Sequence, residues 1–223
     1  MTGPLLHAAF YIRALFDELR RFLPSLRARP WKPRVFCILP WVHMNVAQDG
    51  GVYPCCMAHY SGQEAAGLGS LGSRTLKEIL NSEGLRRLRR SMLEGRESPE
   101  CAGCYELEKS GFRSFRQKSN INFSRHFPKT RATRPDGGLD AMSMPFMDIR
   151  FSNICNFRCR TCGPYSSSSW HEEGLRLPGF TPPERVLRPT RDPSDLWRQL
   201  EPLLPGLEEV YFALEGMGFY RSG

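Results

Sequence analysis

Phe146-Met147-Asp148-Ile149-Arg150-Phe151-Ser152-Asn153-Ile154-Cys155-Asn156-Phe157-Arg158-Cys159-Arg160-Thr161-Cys162 is the stretch on which the reading of this chain turns. An apolar, strand-like run from Phe146 to Phe151 leads into three cysteines at C-x3-C-x2-C spacing. Thiolates this close can cap three irons of a cubic 4Fe–4S cluster, since cysteine thiolates are the usual ligands of such clusters. The fourth iron then has no ligand from the motif, and an open iron at a strand end is a place for chemistry. Single-ion zinc binding would need a fourth ligand, and His171 is the nearby candidate.

A helix is expected to begin within Ser166 to Glu173 and another near 194–204, and Leu207 to Ala213 reads as a second buried strand. Strand, helix, strand in that order implies a parallel pair with a right-handed crossover. Ser166, Ser167, Ser168 and Ser169 can cap the helix after the cysteine loop, and helix N-termini favour anions. Asn153 and Asn156 flank the loop, where they can bond sulfurs or fix the turn.

Upstream, Val42, Met44 and Val46 alternate with His43 and Asn45. Asp49-Gly50-Gly51 then turns the chain into Val52-Tyr53-Pro54-Cys55, a hairpin pattern. Ser73 is placed to cap a short helix from Thr75 to Leu80. Ser82 is placed to cap a second, running to about Gly95 and burying Leu85, Leu88 and Met92. Cys101-Ala102-Gly103-Cys104 follows, then a polar helical stretch to Asn120. Residues 125–140, rich in Arg, Pro, Thr and Gly, read as a linker.

A hairpin brings Cys37 and Cys55 together, and C-x2-C sets two thiolates on one turn. Cys37, Cys55, Cys101 and Cys104 therefore form a second candidate ligand set. Cys56 points away from Cys55 on a continuing strand and is the alternative ligand. Spacing alone leaves zinc and iron–sulfur both open for this set. His43 and His59 lie close enough in sequence to replace a thiolate, although a strand face and a loop are their simpler roles.

Composition sets wider bounds. The chain of 223 residues, 40% hydrophobic and 24% charged, has the makeup of a globular protein with one large or two small domains. No apolar run approaches the ~20 residues of a bilayer span. Arg13, Asp17, Glu18, Arg20 and Arg21 interrupt the apolar N-terminus, which rules out a secretory leader. A cytoplasmic location follows as the expectation, and there eight cysteines point to metal rather than disulfides. The net charge of +8 is carried mostly by arginine. Its densest run, Arg86-Arg87-Leu88-Arg89-Arg90, reads as a solvated helix face. No RNA-binding motif accompanies it, so nucleic acid is not an expected partner, and neither is a membrane.

Phe36-Cys37 through His43, Asp49-Gly50-Gly51-Val52-Tyr53-Pro54-Cys55-Cys56, Leu71-Gly72 with Thr75 to Glu83, and Cys101 through Gly111 resemble the auxiliary-cluster module called SPASM, or twitch in its shortened form. Together with Arg150 to Gly163, they make the chain resemble the twitch-domain radical S-adenosylmethionine (radical SAM) proteins over roughly residues 35–213. The resemblance implies an α/β fold. A small α+β auxiliary-cluster module comes first, followed by the first β-α-β part of a partial (β/α) radical SAM barrel. The corresponding boundaries are 1–30 for an N-terminal amphipathic helix, 31–122 for the module, 123–145 for a linker and 146–223 for a shortened core.

The same resemblance implies two 4Fe–4S clusters. The catalytic one sits on Cys155, Cys159 and Cys162, with S-adenosylmethionine chelating its open iron. The auxiliary one sits on Cys37, Cys55, Cys101 and Cys104. Reductive cleavage of S-adenosylmethionine would give a 5′-deoxyadenosyl radical. The implied partners are a reducing electron donor and a peptide or protein substrate. Thr161 departs from the family, which usually has an aromatic residue there. Leu214-Glu215-Gly216-Met217-Gly218-Phe219 stands where the family carries a Gly-Gly-Glu-Pro-like segment. A fragment, a frame change near residue 213 or completion by a second chain each fits that departure. This chain alone is expected to be inactive. The reading from another class is a non-catalytic zinc or iron–sulfur module that acts through partner binding.

Overall fold

A computed structural model describes residues 34–58, 68–141 and 143–212. The expected N-terminal helix, His59 and the segment after Phe212 lie outside the described residues. The rest is mixed α/β, built on a four-stranded sheet. Strands β1 (His43–Val46), β2 (Val52–Tyr53), β3 (Phe146–Ile149) and β4 (Glu209–Phe212) take the order β2-β1-β3-β4. β1 and β2 pair antiparallel, with Asn45 opposite Tyr53. β1 also pairs parallel with β3, setting Asn45 beside Asp148, and β3 pairs parallel with β4.

The hairpin expected from Val42 to Cys55 thus forms, but β1 is an interior strand. All four of its residues are buried, including His43 and Asn45, so the apolar–polar alternation does not mark an inner and an outer face. β4 departs from expectation in the opposite sense. It is an edge strand, and Glu209, Tyr211 and Phe212 are exposed.

Short helices surround the sheet. They are α1 (Leu39–Val42), α2 (Leu76–Leu80), α3 (Glu83–Leu93), α4 (Ala102–Lys109), α5 (Phe115–Asn122), α6 (His171–Leu175) and α7 (Pro193–Leu200). The cap of α2 is Thr75 rather than Ser73. The Thr75 side chain accepts from the Glu78 amide, and Glu78 accepts from the Thr75 amide, so two otherwise open donors are satisfied. Ser82 does precede α3, but its hydroxyl makes no capping bond.

The core joins Trp41, Val42, Met44 and Val46 to Ile79, Leu85, Leu88 and Met92, and continues through Phe146, Met147, Ile149 and Leu196. Burying each such side chain stabilises the fold by roughly 1.5–3 kcal/mol. One arginine of the basic run belongs to this core. Arg89 is 0% exposed, and its Nε, Nη1 and Nη2 donate to the carbonyls of Pro40 (2.9 Å), Gly137 (3.2 Å) and Leu80 (2.7 Å). The expectation of a solvated face therefore fails at Arg89, because the helix periodicity that buries Leu85, Leu88 and Met92 turns it inward as well.

The stretch read as a linker forms a 3-10 helix over Ser124–Ala132 and a turn beyond it. Trp41 donates to Thr133, and Asn81 exchanges two hydrogen bonds with the backbone of Leu139. Gly137, at φ +84°, lets this turn lie against α3: a Cβ there would stand 2.1 Å from the Arg86 carbonyl. Its Pro, Gly and Arg content thus serves a tied surface segment.

Candidate metal centres

Cys37 and Cys55 meet because of the sheet. Cys37 precedes β1, and Cys55 follows the antiparallel β2, so both stand at the end where β1 begins. The 3-10 turn Pro99–Cys101 and the start of α4 bring Cys101 and Cys104 to the same place. The four thiols line one cavity, closed by Leu39, Phe115 and the Arg116 side chain.

Their electrostatics are those of crowded, desolvated sulfur. Burial pushes the Cys101 thiol up to about 12, and the nearby Cys104 and Glu100 add to it. Burial also raises Cys37 and Cys55 well above the ordinary thiol range, and neighbouring cysteines raise them further. Without a metal Cys37, Cys55 and Cys101 keep their protons at neutral pH, whereas a bound cationic centre displaces the protons and takes the sulfur lone pairs. A desolvated set of soft donors suits a thiophilic metal or cluster.

One tetrahedral ion with bonds of about 2.3 Å would draw four sulfurs to within roughly 4 Å of one another. Among the described residues, no three His, Cys, Asp or Glu side chains form such a compact group.

The remaining residues singled out in this region sort as follows. Cys56 is half-buried, its thiol raised to about 11 by burial and then by Asp148, and it lies within electrostatic range of Cys104. His43 is 1% exposed, and its Nδ1 faces the Pro54 carbonyl at 2.9 Å. A carbonyl only accepts, so Nδ1 carries the proton and Nε2 the lone pair. Burial lowers the His43 pKa to about 4, which keeps the ring neutral. Through that bond it fixes the backbone before Cys55.

The second set occupies the other end of the sheet. Cys155, Cys159 and Cys162 sit in the loop that leaves the C-terminal end of β3. Cys159 is exposed and the other two are half-buried. Burial raises the Cys162 thiol, and both Cys159 and Cys155 are close enough to raise it further, so the three sulfurs share one neighbourhood.

Asn153 is fully buried and pins the loop. Its side-chain amide donates to the carbonyls of Pro164 and Arg185, each at 3.1 Å, and its oxygen accepts from the Leu187 amide at 2.8 Å. It fixes the turn and bonds no sulfur. The serines after the loop act as staples rather than helix caps. Ser169 donates to the Cys155 carbonyl (2.6 Å) and Ser167 to the Phe157 carbonyl (2.8 Å). Trp170 donates to the Cys159 carbonyl at 3.2 Å. His171 begins α6 and joins no compact ligand group with the three cysteines.

The hairpin tip braces this loop. Gln48 donates to the Tyr165 carbonyl at 2.8 Å, and the Tyr165 hydroxyl bonds Asp49. Gly50 lies beneath Pro189, whose carbonyl oxygen would stand 2.3 Å from a Cβ placed there.

Sequence reasoning missed the shell of the first site. Asn120 donates to the Phe36 carbonyl (2.8 Å) and accepts from the Ile38 amide (2.9 Å), so it grips both neighbours of Cys37. Arg116, one helical turn earlier, donates to the same Phe36 carbonyl at 2.7 Å. Their i, i+4 spacing on α5 was the available signal, but nothing local says that this face meets a cysteine more than 70 residues upstream.

A mixed α/β body with four cysteines around one cavity, two buried and two half-buried, is a candidate cysteine-ligated metal centre. Residues 37–105 match the family model of SPASM, an iron–sulfur cluster-binding domain. This stretch is therefore similar to a SPASM-type domain, and the match supports iron–sulfur cluster binding by it. No curated protein and no solved structure matches the chain.

Proposed function

We propose that this chain is an iron–sulfur protein of the radical S-adenosylmethionine type. Cys37, Cys55, Cys101 and Cys104 hold an auxiliary cluster, and Cys155, Cys159 and Cys162 hold the cluster that binds S-adenosylmethionine. On this reading β3, α6, α7 and β4 are the first β-α-β part of a partial (β/α) barrel. A reducing electron donor and a peptide or protein substrate are the partners, and the cytoplasm is the setting.

One observation carries the reading. Three mutually close thiols stand on a loop at the C-terminal end of a parallel strand, while the four cavity thiols lie at the opposite end of that sheet. Loops at the C-terminal ends of parallel strands are where α/β folds build reactive sites. Three thiolates leave one iron of a cubic cluster open. Cys155, Cys159 and Cys162 would hold such a cluster, which would supply the electron for reductive cleavage of S-adenosylmethionine.

The chain's own residues supply position. Ser167, Ser169 and Trp170 hold the carbonyls of the cysteine loop, and Asn153 ties the loop's ends to its base. The exposure of Cys159 leaves an approach for a small molecule.

The test is anaerobic reconstitution followed by EPR of the reduced protein with and without S-adenosylmethionine. The expected result is a cluster signal that S-adenosylmethionine perturbs, and that Cys159→Ala removes while the auxiliary signal persists. A signal indifferent to S-adenosylmethionine, or zinc in place of iron, would overturn the proposal in favour of a non-catalytic module.

A further inference from the structure

Arg116 and Glu108 form an oriented ion pair against the four-thiol cavity, outside the matched segment that ends at residue 105. Arg116 lines the cavity, and its side chain is 7% exposed. Nε donates to Glu108 Oε1 at 3.0 Å, Nη2 to Glu108 Oε2, and Nη1 to the Phe36 carbonyl beside Cys37. Arg116 thus holds a carboxylate while lining the thiol cavity, and its Cζ lies over the Tyr105 ring, 5.7 Å from the centroid. Its field acts on both Cys37 and Cys101.

Resting on the cluster reading above, we infer that Arg116 is a positioning residue that sets the reduction potential of the auxiliary cluster, with Glu108 opposing it and Asn120 fixing the loop of Cys37. The physical argument is one of charge. Four thiolates around a cubic cluster make a buried anionic assembly, and reduction adds one more negative charge without a proton. A fixed cation in a low-dielectric wall stabilises the reduced form more than the oxidised one, and so raises the potential. The Glu108 carboxylate, which does not line the cavity, does the reverse.

The signs provide the test. The parent is the full chain carrying Cys155→Ala, Cys159→Ala and Cys162→Ala, so that only the auxiliary cluster reports. After anaerobic reconstitution, dithionite titration followed by EPR gives its potential. Arg116→Gln is expected to shift it to more negative values and Glu108→Gln to more positive ones, while Arg116→Lys stays near the parent. Asn120→Ala is expected to release iron to a chelator on the order of ten-fold more readily, with little shift in potential.

Where Arg116→Gln retains no iron, Glu108→Gln and Arg116→Lys decide. A parent that binds no iron at all overturns the cluster reading, and this inference with it. A parent cluster whose potential the two charge variants leave unmoved, or move in the same direction, overturns this inference alone.

Discussion

Arg89 lies wholly inside the fold and directs its three guanidinium nitrogens to three carbonyls, those of Pro40, Gly137 and Leu80. Those carbonyls belong to the segment before β1, to the turn after the 3-10 helix and to α2. One side chain thus ties three parts of the chain that are distant in sequence. Arg89→Ala removes the donors and leaves buried acceptors beside a cavity, at a cost of about 3 kcal/mol or more. Urea unfolding of the metal-free protein is expected to show that loss, and Arg90→Ala, on the outer side of α3, to show almost none.

His43 gives a pH signature at the same scale. Burial lowers its pKa in the folded state to about 4, against an ordinary value near 6.5. The unfolded chain binds the proton first, so stability from this group is complete above about pH 6.5. It falls as pH drops toward 4, with a slope of up to about 1.4 kcal/mol per pH unit. His43→Gln is expected to flatten stability over that window. An unchanged slope would mean the ring is not held neutral.

At the scale of elements, helix boundaries follow local chemistry and are within reach of sequence. The capping box of α2 is one such signal, although it centres on Thr75 and Glu78 rather than on Ser73. Thr75→Ala is expected to cost about 1 kcal/mol, read as a lower midpoint in thermal unfolding. Ser73→Ala is expected to change little.

Which face of an element is covered was far less legible. His43 and Asn45 look like the outer residues of a two-stranded hairpin until β3 pairs with β1 and covers them. Tyr211 and Phe212 look like core residues, yet β4 is the edge of the sheet. Pairing partners far away in sequence decide both cases. The cysteines were legible because metal ligation demands close spacing along the chain. Arg116, Glu108 and Asn120 were not, because a second layer of contacts leaves no such spacing.

For the whole molecule, the central fact is that one sheet carries both cysteine sets at opposite ends. Cys37 and Cys55 stand where β1 begins, and the loop of Cys155 stands where β3 ends. The four-residue strands alone span about 13 Å from one end of the sheet to the other. A shared core and parallel pairing fix that separation more firmly than a flexible connector would. The hairpin tip also bears directly on the second loop through Gln48 and Asp49. Among the described residues, no helix is long and apolar enough to cross a membrane.

The central claim is that the chain holds two iron–sulfur clusters on separate thiol sets. The most direct measurement is a count of iron, acid-labile sulfide and zinc after anaerobic reconstitution of the chain, of Cys101→Ala and of Cys56→Ala. The account predicts about eight irons and matching sulfide for the chain, about four for Cys101→Ala, and no loss for Cys56→Ala. Stoichiometric zinc with no sulfide would contradict it.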